Sequence, residues 1–102
     1  MTKLKIELTE SAVADIDHYI DFITQNYSAP LTALRHYQGL FDAIYGLKTI
    51  AKSTPLSTNH FIINLFGIGT KRINYKRMAI LYKIKETTII VIAVIPQANI
   101  KI

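Results

Sequence analysis

The chain has 102 residues, of which 50% are hydrophobic and 19% are charged, so its length and composition predict a single globular domain over residues 1–102 and exclude a disordered chain. The sequence contains no cysteine, which excludes disulfide bonds and thiolate metal sites and fits a cytoplasmic protein. The net charge of +5 is uneven, because residues 48–102 hold nine basic side chains and one acid, Glu86, and such a basic half favours either an anionic partner or a charged surface kept for solubility.

The first predicted elements are a strand and an amphipathic helix. Leu4, Ile6 and Leu8 alternate with charged residues, which is the two-residue period of a half-buried strand. The same alternation argues against a secretory signal. Thr9 then fits the N-cap of a helix over residues 10–28, whose apolar side chains recur every three or four positions.

The stretch YSAP ends this helix, and a second helix is predicted over residues 30–52. Ser28 fits its N-cap and Pro30 its first turn, where no backbone N–H is needed. Gly39 and Gly46 lower the helix propensity, and a close helix–helix contact would account for both. The short connection predicts an antiparallel helical hairpin. The apolar face that we expect to be buried contains Leu34, Tyr37, Phe41, Ile44, Leu47 and Ala51.

Strand-like segments follow a loop, at residues 61–66, 71–75, 78–84 and 88–95. The last contains the run IIVIAVI, which predicts a central strand covered on both faces and is too short to span a membrane. The predicted fold is α+β: an N-terminal strand, a two-helix hairpin and an antiparallel sheet meander, with the helices packed on one sheet face. The pattern leaves open whether the first strand lies at an edge of the sheet or beside a central strand.

The segment KRINYKRMAILYKIK, residues 71–85, combines six cations with apolar residues at strand spacing. Alternation places Ile73, Ile80 and Ile84 toward the helices. Because the helices cover only one sheet face, we expect the other face to be open and basic. The residues predicted to bind a partner or a nucleic acid are Lys71, Arg72, Lys76, Arg77 and Lys83.

The sequence predicts no metal and no cofactor. His18, His36 and His60 lie far apart, without the spacing of metal ligands, and no phosphate-binding glycine loop occurs. We expect His18 and His36 on helix surfaces or at the hairpin seam, and His60 in a solvated loop. Tyr75 and Tyr82 lie within the basic segment, where an aromatic ring either packs the sheet or stacks on a base.

Four stretches of the chain follow one another in a specific order: IELTESAVADIDHYIDFI, STP after the second helix, GTKRINYKRMAILYKI and TTIIVIAV. Together they cover nearly the whole chain and resemble the RelE/ParE toxin superfamily of bacterial type II toxin–antitoxin systems. The resemblance implies a cytoplasmic toxin of the plasmid-stabilisation type and a cognate antitoxin that folds across it. The long hairpin is similar to the ParE branch, whose members inhibit DNA gyrase, rather than to the RelE branch, whose members cleave mRNA on the ribosome.

Departures from the ribonuclease pattern also favour the ParE-like branch. RelE-like ribonucleases carry arginine where this chain has Ala79 in MAILY, and a basic residue near the position of Gln97. Under the ribonuclease alternative, metal-independent cleavage would use Arg72, Arg77 and Tyr82 as catalytic residues, since it needs proton transfer and cations that stabilise the added phosphate charge. A third alternative is a degenerate member that keeps the fold and antitoxin binding but has lost toxicity.

Overall fold

The α+β fold expected from the sequence is confirmed in a computed structural model that describes residues 3–27 and 30–101. The described chain forms β1 Lys5–Leu8, α1 Glu10–Tyr27, α2 Pro30–Ile50, α3 His60–Phe66, β2 Lys71–Tyr75, β3 Met78–Lys85, β4 Thr88–Pro96 and a short 3-10 helix Gln97–Asn99. The four strands form one sheet in the order β1-β4-β3-β2. β2, β3 and β4 are an antiparallel meander, whereas β1 pairs with β4 in parallel, so the sheet is mixed.

β1 lies at an edge of the sheet and also beside the central strand β4, so both of the positions that the sequence pattern left open apply. β4 lies between β1 and β3 and is therefore central. Ile89 and Val91 of β4 are buried on the side of the helical hairpin, and Ala93 is buried on the opposite side. The prediction of a central strand covered on both faces is confirmed, because apolar side chains on both faces of β4 find buried partners.

α1 and α2 form the predicted helical hairpin on one face of the sheet. Thr9 caps α1, since its hydroxyl accepts the Ala12 backbone N–H at 3.1 Å. Ser28, the predicted cap of α2, lies outside the described residues. The main hydrophobic core contains Ala12, Ile16, Leu40, Ile44, Leu47 and Ala51 from the helical side and Met78, Ile80, Tyr82, Ile89, Val91 and Val94 from the sheet.

The buried face of α2 agrees with the predicted one only in part. Ile44 and Leu47, and Ala51 just after the helix, are buried as expected. Leu34 and Tyr37 are exposed and Phe41 is only partly buried, although all three were expected in the core. α2 carries two apolar stripes that differ by one residue position, or about 100° around the helix. The core takes the stripe Ala33, Leu40, Ile44 and Leu47, which leaves the aromatic stripe Tyr37, Phe41 and Tyr45 at the surface, with neighbouring ring centroids 4.8 and 6.5 Å apart.

Residues 61–66 form most of the helix α3, and the prediction of a strand there is wrong. The Asn59 side chain accepts the Ile62 backbone N–H at 3.0 Å and caps the helix. Gly67, with φ of 92°, ends it, and its N–H donates to the Ile63 carbonyl at 2.8 Å. An apolar run of six residues is too short for its period to distinguish a helix from a strand, and the two end residues decide the outcome.

α3 covers the sheet face opposite the helical hairpin. Ile62 is fully buried there and forms a second core with Ala79, Leu81 and Ala93. The expectation that this face is open is therefore wrong, because an additional helix was not predicted. Cations on this side of the sheet are confined to its margins.

The two glycines inside α2 have different environments. A Cβ atom on Gly39 would collide with the Tyr75 hydroxyl and lie 2.7 Å from the Tyr75 Cζ, whereas a Cβ atom on Gly46 would meet nothing within 4 Å. The expected helix–helix contact is therefore wrong for both glycines. Gly39 instead gives the Tyr75 ring of β2 room to pack on α2, and a Cβ atom on Gly46 would have no such neighbour.

We expect Gly46→Ala to raise the free energy of unfolding by about 0.5–1 kcal/mol, the gain in helix propensity. Gly39→Ala gains the same propensity but displaces the Tyr75 ring, so we expect a net loss of stability in urea unfolding. In a Tyr75→Ala background that collision is removed, and Gly39→Ala should stabilise as Gly46→Ala does. A stabilising Gly39→Ala in the wild-type background would show that the Tyr75 ring moves aside without cost.

A candidate binding groove beside a basic turn

Lys76 and Arg77 form the two-residue turn between β2 and β3, which we name the basic turn. Tyr75 and Met78 pair across its base. Lys76 has φ of 52°, the left-handed conformation that two-residue hairpin turns require. The Lys76 ammonium lies 5.7 Å from the centroid of the Tyr75 ring. Both side chains of the basic turn are exposed, so the hairpin presents two cations to solvent.

Gln97 fastens the basic turn to the end of β4. Its backbone N–H donates to the Arg77 carbonyl at 2.8 Å, and its side-chain amide donates to the Lys76 carbonyl at 2.6 Å. Its side-chain oxygen accepts from the Arg72 guanidinium at 3.3 Å, and Arg72 also donates to the Asn74 side chain at 2.9 Å. Arg72 is thus half-buried and held by two neutral partners, rather than freely exposed.

α1 lies beside the C-terminal half of β4, where β1 has already ended at Leu8. Backbone groups on this side of β4 need other partners. The Thr9 hydroxyl donates to the Ile92 carbonyl at 3.1 Å, and the Asp15 carboxylate accepts the Val94 N–H at 3.0 Å. Side chains of α1 therefore replace the missing strand neighbour and fix the helix at this end of the sheet.

A groove of about 760 Å³ runs between α1 and the basic turn. His18 and Phe22 of α1 line one side, Lys76 and Arg77 line the other, and Pro96 follows from the end of β4. Phe22 is 58% exposed although it is a large apolar residue. An imidazole, two cations and an open aromatic ring in one groove suit the binding of an anionic partner that also carries apolar groups.

The sequence predicted the two cations of this groove but not the residues opposite them. Asp15, His18 and Phe22 are spaced by three and four positions, which places them on one face of α1. That spacing was visible in the sequence. Which helix face lies beside the basic turn was not, because it depends on how α1 docks on β4.

Lys71 and Tyr82 pair across β2 and β3, away from the groove. Tyr82 is 0% exposed, and its hydroxyl donates to the Ala51 carbonyl at 3.2 Å. Lys71 donates to the carbonyls of Ala51 and Lys52 at 2.9 and 3.2 Å. Burial raises the pKa of the Tyr82 hydroxyl, with a hydrogen bond to Thr54 acting in the opposite direction. This burial argues against the catalytic role that the ribonuclease alternative gives to Tyr82.

The predicted cations therefore separate into groups. Lys76 and Arg77 line the groove. Arg72 is connected to it by a hydrogen bond to the Gln97 side chain. Lys71 instead satisfies carbonyls just after the C-terminus of α2, a structural role that was not predicted. Lys83 lies half-buried beside α3, where a Cβ atom on Gly67 would be 3.0 Å from its ammonium.

His36 lies at the seam between α1 and α2, which is one of the two positions predicted for it. Its Nδ1 atom and the Tyr19 hydroxyl are 2.7 Å apart and share a hydrogen bond. The two rings meet edge to face, with centroids 5.8 Å apart. Burial, and secondly the positive charge of Lys76, lower the pKa of His36 below its ordinary value. The basic turn therefore acts electrostatically on the helical hairpin.

We expect the domain to lose stability as the pH falls from neutral through the ordinary histidine range and below it. Because the pKa of His36 is lower in the folded chain, the unfolded chain binds the proton first, and protonation favours unfolding. Urea unfolding at a series of pH values measures this slope. His36→Gln should flatten it and Lys76→Ala should reduce it, and an unchanged slope in His36→Gln would assign it to another group.

The described chain provides neither a metal site nor a membrane-spanning helix. Among residues 3–27 and 30–101, no three His, Asp or Glu side chains are placed to hold a metal ion. No helix in these ranges is long and apolar enough to cross a membrane.

The described chain is thus a two-helix hairpin on a mixed four-stranded sheet, with a basic turn between β2 and β3. The chain matches the family model of the ParE toxin of type II toxin–antitoxin systems, parDE, over residues 6–100. It therefore belongs to the ParE toxin family. This match confirms the resemblance to the superfamily and the preference for its ParE branch.

Solved structures with the same fold come from both branches. The chain is similar to the chromosomal ParDE system of P. aeruginosa, with a TM-score of 0.77 and 15% identity over 94% of this chain and 98% of that one. It is also similar to the RelBE2 toxin–antitoxin complex of Mycobacterium tuberculosis, with a TM-score of 0.60 and 17% identity over 93% of this chain and 99% of that one. No curated protein matches the chain.

Proposed function

We propose that this chain is the toxin of a type II toxin–antitoxin pair, that a cognate antitoxin neutralises it, and that it inhibits DNA gyrase by binding. The observation that carries the proposal is the match to the ParE toxin family over residues 6–100. The burial of Tyr82 adds to it, because a tyrosine inside the core is not available to a substrate. Binding rather than catalysis is the activity that this arrangement of side chains supports best.

The basic turn is the part of the groove that we assign to target binding. Lys76 and Arg77 are exposed, and both of their carbonyl groups accept hydrogen bonds from Gln97. The turn is thus held in place before a partner arrives, which reduces the ordering cost of binding. Phe22, across the groove, adds an exposed apolar contact.

We expect an acidic antitoxin to associate with the chain more slowly as the salt concentration rises. Exposed charges such as those of Lys76 and Arg77 are screened over about 8 Å at physiological ionic strength, and steering by such charges mainly accelerates association. Stopped-flow mixing of the purified pair at low and high ionic strength measures the effect. An association rate that is indifferent to salt would show that the partner is not steered by charge.

A gyrase supercoiling assay tests the proposed target. Purified chain should reduce supercoiling of relaxed plasmid, and the antitoxin should restore it. Lys76→Gly and Arg77→Ala should weaken the inhibition, whereas Lys101→Ala, which removes an exposed lysine that does not line the groove, should not. Glycine suits the positive φ of position 76, so a loss of activity in Lys76→Gly would not come from unfolding.

One observation supports the ribonuclease alternative. His18 and Arg77 line the same groove, which brings a proton-transfer group and a cation together, as phosphodiester cleavage needs. Specific cuts in mRNA on translating ribosomes that disappear in His18→Gln and Arg77→Ala would establish this alternative in place of gyrase inhibition. If neither activity is found at high protein concentration, the result favours the third alternative, a non-toxic member that keeps the fold and antitoxin binding.

A further inference from the structure

His36 is connected to the groove beside the basic turn through one hydrogen bond. Its half-buried imidazole lies at the seam between α1 and α2, and Nδ1 is 2.7 Å from the Tyr19 hydroxyl. Tyr19 in turn lines the groove together with Lys76. A titratable group inside the helical hairpin is therefore joined to a residue of the space in which we place the target.

The basic turn approaches the same part of α2 from the sheet. Gly39 follows His36 by three positions, so the two residues lie on one face of the helix. The Tyr75 hydroxyl occupies the space that a Cβ atom on Gly39 would need, and the Lys76 ammonium lies 5.7 Å from the centroid of the Tyr75 ring. Lys76 therefore extends from a residue that packs one helical turn away from His36.

Two elements bring titratable groups to His36. α1 brings the Tyr19 hydroxyl, which is neutral, and the basic turn brings the positive charge of Lys76. Burial, and secondly this charge, lower the pKa of His36, and no carboxylate of the described chain shifts it in the other direction. Three other titratable or charged side chains line the groove itself: Asp15, His18 and Arg77.

We propose that an anionic group bound at the basic turn draws a proton onto His36, so that the groove binds its partner more tightly as the pH falls. The anion offsets the charge of Lys76, which opposes a second positive charge on the imidazole. Binding and protonation therefore favour each other, and the coupling acts equally in both directions. The proposal rests on the role of the basic turn in the proposed function and adds a proton dependence to it.

The hydrogen bond to Tyr19 suits both protonation states of His36. The Tyr19 hydroxyl, 2.7 Å from Nδ1, can donate its hydrogen to an unprotonated Nδ1 or accept the hydrogen of a protonated one. The imidazole can therefore gain a proton without losing this partner and without turning its ring. The coupling thus operates within the folded chain, and it is distinct from the loss of stability that we expect at low pH.

Two simpler explanations make different statements about the same residues. If His36 is only a packed residue whose pKa is lowered by burial, an anion at the basic turn leaves that pKa unchanged. If His18 is responsible, it attracts the anion directly when protonated, because it lines the groove. In that case the pH dependence of binding disappears in His18→Gln and persists in His36→Gln.

The test titrates the folded His18→Gln chain with sulfate, whose charge is constant between about pH 5 and 8, the range in which histidine titrates. The backbone amide signals of Lys76 and Arg77 report binding in NMR spectra, with sodium chloride at equal ionic strength as the reference. The dissociation constant should be about three-fold smaller at the lower pH, which corresponds to a rise of about 0.5 in the pKa of His36 on binding. Adding His36→Gln, which keeps a hydrogen-bonding group for Tyr19, should remove this pH dependence and leave the affinity at the higher pH unchanged.

The ring proton signals of His36 measure its pKa directly. Sulfate should raise this pKa in the chain that carries Lys76 and should leave it unchanged in Lys76→Gly, which lacks the charge to be offset. The proposal is overturned if sulfate shifts the Lys76 and Arg77 signals without changing the pKa of His36, if it shifts neither signal, or if the pH dependence survives His36→Gln. None of these measurements uses gyrase, so a failure to inhibit supercoiling would refute the proposed target and leave the coupling intact.

Discussion

Tyr82→Ala is expected to destabilise the domain by about 3–5 kcal/mol, the cost of removing a large aromatic side chain from a core. Tyr82 is 0% exposed and lies among the core residues that join the hairpin to the sheet. Such a loss is a large fraction of the 5–15 kcal/mol by which domains are typically stable. Ile80 packs in the same cluster, and Ile80→Ala should lower the free energy of unfolding by about 2–5 kcal/mol.

Tyr82→Phe is the matched control, because it removes only the hydroxyl. The Ala51 carbonyl that accepts from this hydroxyl also accepts from Lys71 at 2.9 Å, so it keeps a partner and the cost should be about 1 kcal/mol. Urea unfolding measures all of these variants. The Tyr82→Phe chain should also keep its full toxic activity, and a folded but inactive Tyr82→Phe would falsify the assignment of Tyr82 to the core alone.

The regular parts of the fold were predictable because local periodicity determines them. The alternation in β3 placed Ile80 and Tyr82 on one face and Ala79 and Leu81 on the other, and the two buried clusters divide these residues in the same way. Thr9 was identified as a helix cap from its position alone, and its hydroxyl accepts the expected N–H. In each case the deciding interactions lie within one element or its ends.

The errors have two sources. The run at residues 61–66 is a helix because Asn59 and Gly67 cap its ends, a local signal that the sequence carried, whereas its burial depends on small residues of distant strands, β3 and β4. Likewise, Gly39 is explained only by the Tyr75 ring, which comes from the other end of the chain. No local pattern reports such a contact, since it exists only after the hairpin and sheet have docked.

The candidate site was half predictable for the same reason. The cations Lys76 and Arg77 were identified from a dense basic segment, and both line the groove. Lys71 belongs to the same segment, but its ammonium binds carbonyls just after the C-terminus of α2. The sequence shows how many cations a segment carries, whereas only the docked structure shows which of them remain free for a partner.

Ala79→Arg is expected to lower the free energy of unfolding by at least about 3 kcal/mol, the penalty of an unpaired buried charge. Ala79 is 0% exposed and packs beneath Ile62 of α3. Ala79→Met adds a side chain of similar length without charge, so overpacking alone should cost about 1–3 kcal/mol. Asn64→Arg places the same charge at an exposed position of α3 and should change stability by about 0.5 kcal/mol or less.

This series also bears on the choice between the two branches of the superfamily. Ala79 occupies the position at which the resemblance places an arginine in RelE-like ribonucleases, and α3 closes that position from solvent here. If Ala79→Arg unfolds the domain, this sheet face cannot present an arginine to RNA in the folded chain. If Ala79→Arg is instead as stable as Asn64→Arg and loses amide protection at Ile62, α3 separates easily from the sheet, and the face beneath it becomes accessible to a substrate. Cleavage of mRNA on translating ribosomes by that variant would then show that the chain retains the ribonuclease framework and lacks only the arginine.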